Sequence, residues 1–143
     1  MIDKRINLLR KKFDEFDIDG YVIPKNDEFF SEYSQKDRLK TISNFSGSAG
    51  LAIILKKKNY LFVDGRYTIQ AKKQAGKEFL IHQIPMVTPK EILSKFNKDL
   101  SLGFDPNLFT SKYLNKIIGN KHKLVPIYDN LIDKISAPKK VNK

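Results

Sequence analysis

At 143 residues and 41% apolar, with ten Phe and six Tyr, the chain is about one ordinary domain with enough apolar mass to fill a core. Cysteine is absent, which excludes disulfides, thiolate metal sites and cysteine nucleophiles, and a reducing, cytoplasmic setting fits. The formal charge is +11, but 23 of the 27 basic residues are Lys and only Arg5, Arg10, Arg38 and Arg66 carry the bidentate fork that reads bases and phosphates, so specific nucleic-acid recognition is not expected.

The N-terminus, Met1 to Arg5, is too polar to begin a secretory signal, and no apolar run approaches the roughly 20 residues of a membrane span. Ile2, Ile6, Leu9, Phe13 and Phe16 follow at helical spacing and predict one apolar helix face. Asp17-Ile18-Asp19-Gly20 ends that helix, and Tyr21 to Pro24 reads as a short buried strand. Residues 25–40 are polar and irregular, with a helical turn over Glu28 to Tyr33, and Thr41 to Phe45 reads as a strand. Gly47-Ser48-Ala49-Gly50 is a tight turn before the apolar strand Leu51 to Leu55. Lys56 to Asn59 is a hairpin tip and Tyr60 to Val63 its return strand, a connection short enough to demand antiparallel pairing.

Asp64-Gly65 turns the chain into a helix from about Arg66 to Ala75, stopped by Gly76, and Phe79 to Ile84 is a further strand ended by Pro85. Thr88-Pro89-Lys90-Glu91 has the form of a capping box and opens a helix carrying Ile92, Leu93 and Phe96. Leu100 to Phe104 is a strand. Asp105-Pro106 leads to a helix with Leu108, Tyr113, Leu114, Ile117 and Ile118 on its apolar positions and Gly119 at its C-terminal end. Lys123 to Ile127 is the last strand and Asn130 to Ile135 the last helix. The tail 136–143 loses all apolar periodicity and reads as a linker cut short. Alternating strands and helices with one hairpin give an α/β fold: a mixed central sheet flanked by helices.

Sites that run a reaction are missing from this pattern. His82 and His122 stand in neither an HExxH nor an HxH pattern and read as ordinary fold residues. Ser48 lies between glycines, but the order is not GxSxG and the flanks are strands, so a turn is the better reading. One segment breaks a local rule. Asp64 suits the N-cap of the helix it precedes, whereas Arg66 puts a cation in the first turn, against the macrodipole. Arg66 either pairs with Asp64 or another nearby acid, or it is aimed at an anionic or carbonyl group of a ligand or neighbouring domain.

Several blocks, taken in order, resemble the opening domain of cytosolic-type Xaa-Pro aminopeptidase (aminopeptidase P). They are Asp19 to Pro24, Asp27-Glu28, Ser31 to Tyr33, Asp37 to Leu39, Phe45 to Gly50, Phe62 to Ala71, Gly103 to Pro106 and Asn130 to Ile135. The sequence departs from that pattern at Phe29, where the family often has His, and at Asn44, where glycine is common. The resemblance implies a creatinase-type N-terminal domain with an RNase H-like fold over residues 1–135, with 136–143 leading toward a missing second domain. It also implies a parent metallopeptidase, a cytoplasmic homodimer, whose missing catalytic domain holds two manganese ions and removes the first residue of short peptides with proline second. This chain would then be non-catalytic and bind no metal or cofactor. It would pack on its own second and catalytic domains, border the cleft and restrict access to it, with Arg66, Tyr67 and Asp64 as substrate-binding residues. The alternatives are a basic α/β nucleic-acid-binding module and a stand-alone small hydrolase.

Overall fold

The computed structural model describes residues 2–25, 38–47, 50–84 and 86–136. The turn expected over Glu28 to Tyr33, the departure at Phe29, Ser48 and the tail 137–143 lie outside the described residues. Helix α1, Ile2–Phe16, buries Ile6, Leu9 and Phe13 as its spacing predicts. It closes in a Schellman arrangement: Asp17 takes φ 56° and the Ile18 N–H donates to Phe13 O at 3.0 Å. Strand β1, Gly20–Pro24, then enters the sheet.

The strand expected at Thr41 to Phe45 is instead part of a helix, α2, Arg38–Ser43. Leu39 and Ile42, three apart, are both fully buried, and the Ser43 hydroxyl donates back to Leu39 O at 2.6 Å. The helix stops at Asn44, whose φ of 69° is the left-handed conformation that Asn tolerates and Gly prefers. That is the physical reason Asn can stand where glycine is common.

The remaining elements follow the expected order: β2 (Leu51–Leu55), β3 (Asn59–Asp64), a 3-10 turn (Gly65–Tyr67) running into α3 (Thr68–Ala75), and β4 (Leu80–Ile84). After them come α4 (Pro89–Ser94), β5 (Ser101–Phe104), α5 (Ser111–Ile118), β6 (Lys123–Pro126) and α6 (Leu131–Ser136). The capping box at Thr88 and Glu91 is present in both directions. Gly119 ends α5 at φ 84°, a conformation that strains any side chain. The helix begins later than expected, with Thr110 as its N-cap, so Leu108 falls in the preceding turn, and Tyr113 is half exposed.

The six strands lie in the order β4-β3-β2-β1-β5-β6, with β2 antiparallel to both neighbours and the other pairs parallel. Alternate side chains divide between two cores. Tyr21, Ile23, Ile54 and Val63 pack under α1, α2, α3 and α6, while Val22, Ile53, Phe62 and Leu102 pack under α4 and α5. Burying each such side chain is worth about 1.5–3 kcal/mol, which fixes strand register and therefore what stands at the strand ends.

Candidate functional site

Among the described residues, no group of three or more His, Asp or Glu side chains could hold a metal ion, so these residues do not fit a dinuclear centre. No helix among them is long and apolar enough to cross a membrane. Both histidines are accounted for by the fold. His82 stacks on Tyr60 at 5.8 Å, and burial, then Lys95, lowers its pKa. His122 is buried: its Nδ1 accepts from the Leu100 N–H at 2.8 Å, so Nε2 carries the hydrogen and donates to Leu93 O at 2.7 Å. It joins the end of α4 to the start of β5.

The arginines separate sharply. Arg5 donates to Thr41 O, tying α1 to α2. Arg10 donates to Leu55 O and to Asn59 Oδ1, closing the β2–β3 hairpin against α1. Arg38 makes two 2.9 Å bonds to the two carboxylate oxygens of Asp133, joining α2 to α6. Arg66 alone among the four has no tertiary bond within the described residues, and its side chain is 74% exposed.

Arg66 belongs to a small constellation at the C-terminal end of β3. Asp64 leaves β3 in an extended conformation, and its Oδ1 accepts from the Arg66 backbone N–H at 2.9 Å, so it caps the 3-10 turn as expected. The same oxygen lies 3.4 Å from Arg66 Nε. The local pairing considered from sequence therefore exists. Its exposure to water and salt keeps it weak. The Arg66 N–H first, and the guanidinium second, hold the Asp64 carboxyl below the usual aspartate range. The guanidinium carbon sits 5.3 Å from the Tyr67 ring centroid, and Tyr67 in turn meets the buried Phe45 edge-on at 5.9 Å. A Cβ at Gly65 would lie 2.6 Å from Gln83 Nε2, so this turn passes close to the end of β4.

Sequence reasoning assigned no role to the neighbouring Ser46, Gln70 and Gln74. The Ser46 N–H donates to Gln74 Oε1 at 2.9 Å, and the Ser46 hydroxyl accepts from Gln70 and Gln74 at 3.0 and 2.9 Å. These bonds fasten the 44–47 segment to α3 beside Tyr67. Gln70 and Gln74 stand four and eight residues beyond Arg66, one row along the helical segment, and that spacing was the available signal. Their meeting with Ser46 spans 24 and 28 residues and depends on the fold. Asp64, Arg66 and Tyr67 thus do come together, with an accessible cation held by an acid on one side and a ring beneath.

Residues 5–135 match the Creatinase/Prolidase N-terminal domain family. The chain is 34% identical over 140 residues to the probable Xaa-Pro aminopeptidase P of Coprinopsis cinerea, covering 91% of this chain and 22% of that protein. It is also 34% identical over 158 residues to aminopeptidase P2 of Arabidopsis thaliana, covering 97% of this chain and 22% of that protein. The chain thus spans about a fifth of the length of these relatives. X-prolyl aminopeptidase from Caenorhabditis elegans, described as a cytosolic enzyme with a di-nuclear active site, shares the fold with a TM-score of 0.79 at 24% identity, over 99% of this chain and 26% of that one.

Proposed function

The chain belongs to the creatinase/prolidase N-terminal domain family, and from that premise we propose that it is the non-catalytic first domain of a cytoplasmic Xaa-Pro aminopeptidase with two metal ions, manganese in our reading. Its role is to border the active-site cleft of that larger protein, packed on the second and catalytic domains of the same polypeptide. There it restricts entry to short peptides with proline second. The family match and the aminopeptidase relatives support the parent activity, and the chain's span of about a fifth of those relatives supports placing the chemistry elsewhere in the longer protein.

The observation that carries the reading is the state of Arg66. A fold that engages its other arginines in tertiary bonds leaves this one exposed, held at Nε by Asp64 and from below by Tyr67. Exposed and oriented, the guanidinium is suited to donate hydrogen bonds to a bound peptide or to a facing domain. Asp64 and Tyr67 fix its geometry and reduce the entropy lost when a partner is bound.

The test is Arg66→Ala in the polypeptide that joins this chain to its metal-binding domain, assayed at matched metal content. Turnover of Xaa-Pro peptides should fall by roughly ten- to a hundredfold, in line with loss of a charge-assisted bond worth about 1.5–3 kcal/mol. Equal turnover in the two proteins overturns the role of Arg66. Xaa-Pro cleavage by the 143-residue chain alone, supplied with manganese, overturns the assignment of chemistry to another domain.

A further inference from the structure

The corner around Arg66 has features that the cleft-bordering role does not require. Asp64 offers one oxygen to both the Arg66 N–H and Nε, and among the described residues neither Nη atom of Arg66 has a hydrogen-bond partner. The open edge of the fork therefore presents parallel N–H donors, the arrangement that matches a carboxylate and that Lys cannot reproduce. Two large apolar side chains close to it by helix spacing and strand register are also exposed. Ile69, three residues on in the same helical run, is 73% exposed. Met86, two residues beyond the Ile84 that pairs with Asp64 across β4 and β3, is 73% exposed as well. Both leave apolar area open to a ligand side chain.

From this juxtaposition we propose that the Arg66 corner binds the free C-terminal carboxylate of a short peptide, with the last side chain of that peptide against Ile69 and Met86. The proposal rests on the reading of this corner as a peptide-facing surface and adds which part of the peptide it reads. Recognition of the carboxylate sets a length limit, because the far end of the peptide must reach Arg66 while its first residue is at the metals. The opposite end of a peptide, an ammonium, is repelled by the same guanidinium. The overall charge of +11 draws any anion weakly, so the ring beneath and the apolar flank must supply the selectivity.

The experiment uses the 143-residue chain at about 0.15 M salt, where long-range attraction is screened. The probes are a pentapeptide with proline second and leucine last, as the free acid, the same peptide as its C-terminal amide, and acetate. NMR of the Arg66 Nε–H and of the Ile69 and Met86 methyl groups reports binding. The free acid should shift all three sites and bind at least tenfold more tightly than the amide. Arg66→Gln should abolish that preference and Arg66→Lys keep only part of it, with unchanged signals from the six strands showing that the fold persists. Equal binding of acid and amide, acetate matching the peptide acid, or a preference that survives Arg66→Gln overturns the proposal. In the longer polypeptide, an Arg66→Gln loss of turnover equal for acid and amide substrates keeps the peptide-facing role and sinks carboxylate recognition. No loss for either substrate sinks both.

Discussion

Two Arg–Asp pairs in this molecule have opposite meanings. Around the start of α6, Arg38 and Asp133 are 95 residues apart in sequence, face each other through two 2.9 Å bonds and are largely shielded from water. The same region holds Asn130, whose Oδ1 accepts from the Ile132 and Asp133 N–H groups while its Nδ2 donates to the buried Asp105 at 2.8 Å. The Leu131 N–H donates to Tyr21 OH, and burial pushes the Tyr21 hydroxyl far above the ordinary phenol range. At the other corner, Arg66 and Asp64 are two residues apart, their side chains meet through one long contact beside the backbone cap, and they are 74% and 48% exposed. The first region uses charge to hold helices on a sheet. The second holds a charge ready and leaves most of it unused, so residue type and pairing alone say little until burial is known.

The contrast can be broken by stability measurements. Asn130→Ala removes a helix cap and the partner of a buried carboxylate together, and should lower the unfolding free energy by about 3 kcal/mol. Arg38→Ala should cost about 2 kcal/mol, since it removes a bidentate pair that is partly shielded. Urea midpoints at an unchanged slope check both. Arg66→Ala should change stability by less than about 0.5 kcal/mol, and a loss as large as that of Arg38→Ala would erase the distinction. The Asp64 carboxyl, favoured in its charged form by the Arg66 N–H, should titrate below an ordinary aspartate in carbon-detected NMR. Its folded value is depressed, so the capping contribution is complete above the ordinary aspartate range and fades as pH falls through the Asp64 value.

Blocks that were separate in sequence meet in these two regions. Gly103 to Pro106 and Asn130 to Ile135 join through the Asp105–Asn130 bond. The segments containing Ser46 and Gln70 join through Ser46, Gln70, Gln74 and the Phe45–Tyr67 contact. An ordered set of weak motifs thus corresponds to a few tertiary contacts, each needing both partners. The segment Thr41 to Phe45 shows where local reading fails. Ile42 and Phe45 suit a strand or a helix equally, and the docking of Leu39 and Ile42 under α1 and beside α6 decided for helix.

By itself the sequence determined the alternation of elements apart from α2, the β2–β3 hairpin, the cap at Thr88, the Gly119 stop and the capping role of Asp64. Each depends on neighbours within a few residues: apolar period, turn length, or one oxygen reaching one nearby N–H. Only the tertiary structure decided that Arg5, Arg10 and Arg38 are engaged across the fold while Arg66 is not, and that Ser46 meets α3. Those outcomes follow from strand order and helix packing, which bring together groups tens of residues apart and decide which charges keep their access to water.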